Sequence, residues 1–137
     1  MIRLLRIVLV QLSVCVEFGR FQELEANDIL FIDCSHVVKM GSDANYIVSE
    51  VLPALGVGVY VHIHDVFYPF EYPREWIEEG WYFTEAYFVR AFLAFNSAFE
   101  IVLFNTFLEH FHRERFAGQM PLCLKNDGGS IWIRRIA

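Results

Sequence analysis

The chain has 137 residues and a formal net charge of −6, and 55% of its residues are hydrophobic. The length corresponds to one domain or part of one, and an aromatic content of 17% excludes an intrinsically disordered chain. The acidic balance argues against a nucleic-acid partner, which would require a basic surface. Charged residues such as Arg90 and Glu100 interrupt the apolar stretches, so the sequence predicts no membrane-spanning helix and no membrane partner.

The N-terminal segment and the cysteines both bear on the cellular compartment. The apolar run Ile7–Val10 follows two arginines, but no small-residue cleavage site comes after it and Glu17 is close. We therefore interpret the run as a buried strand or a short helix rather than a secretory signal. Cys15, Cys34 and Cys123 form no CxxC pair, which is typical of a reducing compartment. We expect a cytoplasmic protein with buried, unpaired thiols.

The hydrophobic pattern predicts strands and helices in alternation. In chain order these are a strand at 28–33, a helix at 43–52, a strand at 57–63, a helical turn at 76–81, a helix at 84–95, a strand at 99–104, a helix at 106–115, a turn at 127–129 and a strand at 130–136. Ser42 and Thr84 are the expected N-caps of their helices. The continuous apolar runs of the first two strands predict burial on both faces, whereas the alternation in the last predicts an edge strand or hairpin arm. This order predicts an α/β layer fold.

Polar side chains follow two of these strands. Asp33 and His36 come after the first strand, and His64 and Asp65 end the second. Ligands of open α/β sheets bind beyond the carboxyl ends of the strands, so these four residues are the best site candidates. Two carboxylates with imidazoles suit a divalent metal or acid–base catalysis. The alternative is that the acids cap loops and helices while the histidines form local hydrogen bonds.

Other motifs favour structural roles. His62 lies inside an apolar run and is expected to be a core histidine with its hydrogen bonds satisfied. His110 and His112 are expected on a solvated helix face, since a spacing of two does not place both on one side of a helix. The Gly56-Val-Gly58 motif follows a helix and precedes a strand, so it predicts a turn rather than a phosphate-binding loop.

The aromatic residues after the second strand allow two interpretations. They either line an apolar substrate pocket or serve core packing and subunit contacts. The residues are Tyr68, Phe70, Tyr72, Trp76 and Trp81.

Several segments, in order, resemble class I S-adenosylmethionine-dependent methyltransferases, and more narrowly a bacterial group acting on small molecules. They are Ile29–Asp43 with its Asp33-Cys-Ser-His36 motif, Tyr46, Val51–Gly58, Val61–Pro73 with His64-Asp65, Ala91–Glu100 and Gly128–Ile133. The resemblance implies a partial Rossmann-like methyltransferase sheet, namely strands four to seven with flanking helices and an antiparallel last strand. Residues 21–137 would be the C-terminal half of such a domain. Residues 1–20 would be a divergent segment, with a strand from 3–10 as one way to cover the sheet edge.

The resemblance also implies a cofactor, a metal and roles for the four polar residues. The cofactor would be S-adenosylmethionine and the reaction O-methylation of a small molecule. Asp33 and Asp65 would hold Mg²⁺, while His36 or His64 would deprotonate the hydroxyl or orient the substrate. The sequence departs from the family where Cys34 replaces glycine or serine and where His64-Asp65 replaces an Asp-Asn pair.

A larger departure leaves two functions open. Residues 1–20 lack the glycine-rich pattern that grips the cofactor, and Gly19 stands alone there. The chain is therefore either a metal-assisted methyltransferase or a truncated, inactive half-domain. In both cases the excess of hydrophobic residues over the usual fraction of about 45–50% predicts exposed apolar surface and homo-oligomers.

Overall fold

The computed structural model describes residues 5–11, 18–125 and 128–137. Its strands are β1 (Ile7–Gln11), β2 (Ile29–Asp33), β3 (Tyr60–His64), β4 (Phe99–Phe104) and β5 (Ser130–Arg135). Its helices are α1 (Phe18–Gln22), α2 (Asp43–Tyr46), α3 (Leu52–Ala54), α4 (Arg74–Glu78), α5 (Glu85–Leu93) and α6 (Asn105–Gln119). A π-helical turn, Ile47–Val51, joins α2 to α3, and a 3₁₀ helix, Pro121–Lys125, follows α6. The predicted turn at 127–129 lies partly outside the described residues.

The five described strands form one open sheet in the order β1-β2-β3-β5-β4. β1, β2 and β3 are parallel, and β5 is antiparallel to both of its neighbours, β3 and β4. The molecule is thus a mixed α/β domain, as predicted, with an antiparallel last strand. The expectation that β5 is an edge strand was wrong, because it lies inside the sheet between β3 and β4. The alternative of a hairpin arm fits its antiparallel pairing with the preceding strand, β4. Ile131 and Ile133 of β5 are fully buried.

The N-terminal apolar run forms a strand and not a helix. β1 pairs with β2 in parallel, with Ile7 opposite Ile29 and Val10 opposite Ile32. It therefore covers the edge of β2, as the expected strand within 3–10 would do.

The core lies against one face of the sheet. Leu30 and Ile32 of β2 and Val61 and Ile63 of β3 are buried there, together with Ile131 and Ile133 of β5. The helices contribute to the same cluster through Phe21, Ala44, Ile47, Val51, Leu52, Ala86 and Val89. Packing against this face supports the parallel alignment of the strands, in which the carboxyl ends of β2 and β3 lie side by side.

The opposite face of the sheet is partly open, contrary to the prediction that β2 is buried on both faces. Ile7 and Leu9 of β1 are 61% and 47% exposed, and Phe31 beside them is half-buried. The described helices do not close over this face, so a continuous apolar run did not imply two covered faces here.

The helix boundaries follow local signals in some places only. Ser42 caps α2, since its Oγ accepts a hydrogen bond from the amide of Asn45, as predicted. Thr84 forms no such cap on α5, because its Oγ1 instead accepts from the amide of Val38. The helical stretch that starts at 43 continues to Ala54, beyond the predicted end at 52. Its π-helical turn ends at Val51, two residues before Pro53, which has no amide proton to donate.

α6 runs well past the predicted end at 115 and is kinked at His112. No helix in the described part of the chain combines the length and the apolar character needed to cross a membrane.

Candidate functional site

The predicted site residues come together at the carboxyl ends of β2 and β3. Nε2 of His36 lies 3.5 Å from Oδ1 of Asp33 and 3.7 Å from Oδ2 of Asp65. Nδ1 of His64 lies 3.8 Å from Oδ1 of Asp33 and 3.1 Å from Oδ1 of Asp65. Because β2 and β3 are parallel neighbours, their ends meet at the same edge of the sheet. We call these four residues the acid–histidine cluster.

His36 is held by a buried carboxylate that the sequence analysis did not identify. Its Nδ1 lies 2.8 Å from Oε2 of Glu85, and both residues are almost fully buried. An ionised carboxylate only accepts hydrogen bonds, so Nδ1 carries the proton and Nε2 keeps a free lone pair toward Asp33 and Asp65. This fixed tautomer is the arrangement found both in metal-ligating histidines and in catalytic bases.

Backbone hydrogen bonds join the loop that carries His36 to the start of α5. The carbonyl oxygen of His36 accepts from the amides of Thr84 (2.8 Å) and Glu85 (3.1 Å). His36 has a φ of +56°, which is uncommon for a residue other than glycine, and these bonds stabilise that conformation. Asp65 has a φ of +55°, and its amide donates to the carbonyl of Gly129 at 2.8 Å. The backbone of the cluster is therefore set by contacts distant in sequence.

Asp43 supports the same loop from the other side. Its carboxylate accepts from the amide of Ser35 (2.9 Å) and from the Ser35 hydroxyl. Burial raises the pKa of Asp43, but the hydrogen bonds from Ser35 and the Ala44 amide outweigh burial and hold the pKa below its usual value. Asp43 thus has a local bonding role at the start of α2.

Cys34 is the third member of the Glu85 network. Its Sγ donates to Oε1 of Glu85 at 3.2 Å, and the side chain is buried. Burial and the nearby Glu85 carboxylate raise the pKa of Cys34, so it remains a neutral thiol and is not a nucleophile. The expectation of buried thiols is confirmed for Cys34 and wrong for Cys123, which is exposed. Cys15 lies outside the described residues.

The charge on His36 depends on opposing effects. Burial alone would lower the pKa of His36, but the hydrogen bond to Glu85 and the charges of Glu85, Asp65 and Asp33 raise it above its ordinary value. In these surroundings the imidazole of His36 accepts a proton readily, because the buried Glu85 stabilises the imidazolium.

His64 presents an unsatisfied nitrogen to the cluster. Its ring is partly exposed, yet Nδ1 is shielded from solvent and forms no hydrogen bond among the described residues. Although Nδ1 lies 3.1 Å from Oδ1 of Asp65, the two groups are not oriented to form a hydrogen bond. A buried polar atom without a partner is unfavourable, and a bound ion between the two acids is one way to satisfy it.

The donor atoms are close enough to share one ion. One ligand atom from each of Asp33, His36 and His64 lies within 4.8 Å of the others. Asp65 adds a fourth donor group, a carboxylate, which lies beside both histidines. A second group, Cys34, His36 and Glu85, also meets this distance, but it is buried and its atoms already bond one another.

His62 is buried as predicted, but its hydrogen bonds are not satisfied. Its ring stacks on Phe31 and contacts Trp132 edge-on, with ring centroids 4.2 and 4.8 Å away. Its Nδ1 has no partner within the described residues. Burial and the nearby His64 lower the pKa of His62 to about 4, so it stays neutral.

The remaining predicted motifs have the expected structural roles. His110 and His112 are exposed on α6, and Gly56–Gly58 forms a turn before β3. Tyr72 and Trp81 pack against Trp76, whose ring also contacts Phe83. Tyr68 and Phe70 pack instead against Phe104 at the start of α6. Phe83 reaches the cluster, since its ring centroid lies 4.9 Å from that of His36. The aromatic group is thus both a packing unit and one wall beside the candidate site.

Comparisons of the chain with protein-family models, curated proteins and solved structures found no match.

Proposed function

We propose that this chain belongs to a metal-assisted, S-adenosylmethionine-dependent methyltransferase that methylates a hydroxyl group of a small molecule. The observation that carries the proposal is the convergence of the acid–histidine cluster, with His36 held by buried Glu85. The sheet supports it as well. β2, β3, β4 and β5 have the order and directions expected of strands four to seven of a Rossmann-like methyltransferase, including the antiparallel last strand.

The cluster residues have separate tasks in this reaction. Asp33 and Asp65 hold the cation, whose chemistry is to lower the pKa of a bound hydroxyl and fix its position. His36 takes the hydroxyl proton on Nε2, because its Nδ1 is committed to Glu85. The imidazolium that results keeps its contact with the buried Glu85 carboxylate, which favours its charge.

The acceptor would meet an aromatic wall. Phe83 touches the His36 ring, and Trp81 next to it is partly exposed. Ring stacking would orient an acceptor that carries its hydroxyl on an aromatic or apolar ring. Orientation is the main contribution an enzyme makes to a transfer between two aligned groups.

The residues present do not fit a complete cofactor site. The resemblance places the main grip on S-adenosylmethionine in a glycine-rich loop after a first strand. Residues 12–17, which follow β1, contain no glycine. The roles of the cluster residues therefore concern activation of the acceptor hydroxyl alone.

This disagreement supports a second candidate function. A half-domain would keep the cluster and bind a cation without binding the cofactor. The partly open face of the sheet favours this alternative, because a complete doubly wound domain covers both faces.

Calorimetric titration with S-adenosylmethionine separates the two. The metal-free chain and the chain with a saturating divalent cation are titrated with the cofactor, and S-adenosylhomocysteine serves as a second probe. Micromolar binding supports the methyltransferase. No heat at millimolar cofactor contradicts it and selects the half-domain.

A further inference from the structure

We propose that His64 is a ligand of the cation rather than a base, so that the site selects a borderline transition ion such as Zn²⁺, Co²⁺ or Fe²⁺ over Mg²⁺. The inference rests on the proposed function in one respect, since it concerns the same cation. It changes the chemical class of that cation from the Mg²⁺ implied by the resemblance, and it assigns His64 a single task.

The state of the His64 nitrogen favours a bound cation. Nδ1 is shielded from water, has no hydrogen bond among the described residues and faces Asp33 and Asp65. His36 differs, because its Nδ1 is already bonded to Glu85. A cation between the two carboxylates would bind Nδ1 of His64 directly and remove the cost of leaving it without a partner.

The spacing between His64 and the two acids is close to that of ligands of one ion. Two donors that each lie about 2.1 Å from one ion stand about 3.0 Å apart at a right angle and about 3.4 Å apart at the tetrahedral angle. Nδ1 of His64 lies 3.1 Å from a carboxylate oxygen of Asp65 and 3.8 Å from one of Asp33. Both of these separations lie within a few tenths of an ångström of the spacings that two donors of one ion adopt.

The composition of the ligand set favours a transition ion over Mg²⁺. Mg²⁺ prefers oxygen ligands, whereas an imidazole nitrogen suits Zn²⁺, Fe²⁺ and related ions. Asp33, Asp65 and His64 provide two carboxylates and one imidazole. Three protein ligands leave a coordination position for a substrate hydroxyl, as in catalytic rather than structural zinc sites. His36 then remains outside the ligand set and free to accept the proton.

The test measures metal affinity without reference to activity. The full chain is freed of metal with a chelator and titrated with Co²⁺, Zn²⁺ and Mg²⁺, by the visible absorption of bound Co²⁺ and by competition with a chromophoric chelator. Bound Co²⁺ with an absorption typical of nitrogen ligation, displaced by Zn²⁺, is the expected result. Mg²⁺ should bind at least about 10-fold more weakly.

Variants assign the nitrogen. His64→Ala should weaken Co²⁺ binding by at least about 10-fold, while His64→Glu should restore an oxygen ligand and move the preference toward Mg²⁺. His110→Ala, on the exposed face of α6, is the matched control and should leave every affinity unchanged. His36→Gln should keep the Co²⁺ spectrum. Far-UV circular dichroism checks that each variant is folded.

Three results would overturn the inference. These are Mg²⁺ binding as tight as Co²⁺, a His64→Ala variant with unchanged Co²⁺ affinity, or a His36→Gln variant that loses the spectrum as fully as His64→Ala does. The outcome is independent of the cofactor titration. A chain that binds Co²⁺ through His64 but no S-adenosylmethionine would refute the proposed methyl transfer and leave this inference standing.

Discussion

At the scale of single residues, the pair formed by His36 and Glu85 decides what the cluster can do. Glu85 is 1% exposed and bonds Nδ1 of His36 and Sγ of Cys34. It is the residue that converts His36 from a side chain near two acids into an imidazole with one defined tautomer. Its position in the first turn of α5 is the only feature that local sequence could have offered.

Replacing Glu85 by glutamine should lower the pKa of His36. The variant keeps the shape of the side chain and removes the charge that stabilises the imidazolium, so the ring should release its proton at a lower pH. Nuclear magnetic resonance titration of the imidazole nitrogens in the metal-free chain measures this shift. Glu78→Gln, at an exposed pair with Arg74, is the control and should not change the His36 titration. An unchanged pKa in Glu85→Gln would show that Glu85 does not set the state of His36.

At the scale of elements, the turn before β3 depends on a glycine. Gly58 has a φ of +90°, its carbonyl accepts from the amide of Asn27, and its amide donates to the carbonyl of Arg135. A Cβ at this position would lie 2.7 Å from Cβ of Ala26. The turn therefore aligns the starts of β2 and β3 with the end of β5, and the opposite ends of these strands carry or adjoin the cluster.

Gly58→Ala should destabilise the fold by about 1–3 kcal/mol, because both the backbone conformation and the contact with Ala26 are unfavourable. Gly118→Ala is the matched control, since nothing lies within 4 Å of its added Cβ and it is in a helix, where alanine is favoured. Urea unfolding of the two variants and the wild type gives the free energies. Equal stabilities for Gly58→Ala and the wild type would contradict the predicted strain of an alanine at position 58.

Local sequence predicted the elements better than their arrangement. The strand at 99–104 is placed as predicted, and the strands at 28–33 and 57–63 are within a few residues. The interior position of β5 could not be read from its alternation, since the order of strands depends on long-range pairing. The same holds for Thr84, whose hydroxyl is used by a loop 46 residues earlier instead of its own helix.

The candidate site shows the same division. Asp33, His64 and Asp65 were predictable because the ends of parallel neighbours meet at one edge of the sheet. Glu85 was not, because it reaches His36 across 49 residues of sequence and looks like an ordinary acidic residue at a helix start. The missing hydrogen bond of His62 was likewise hidden, since it results from the rings of Phe31 and Trp132 packing around it.

At the scale of the whole molecule, one face of the sheet remains partly uncovered. Ile7 and Leu9 lie on this face, in register with Ile29 and Phe31 of β2, and Leu103 of β4 lies at its far side. Apolar surface of this kind promotes contact with other chains. The excess of hydrophobic residues in the sequence is therefore located in part on this face.

Leu9→Lys should reduce self-association, because it places a charge on the open face. Sedimentation velocity at several concentrations should show association of the wild type and a shift toward monomer in the variant. Phe95→Lys alters a fully exposed aromatic residue after α5 and should leave the association unchanged. A wild-type chain that sediments as a stable monomer at all concentrations would refute this expectation.

The central claim is that the ends of β2 and β3 bind a catalytic cation. Anomalous diffraction from crystals soaked with Co²⁺ tests it most directly, because it locates the ion without reference to any reaction. The account predicts one strong peak within about 2.3 Å of Nδ1 of His64 and of carboxylate oxygens of Asp33 and Asp65. The absence of a peak there at millimolar Co²⁺, in crystals where the cluster is open to solvent, would contradict it.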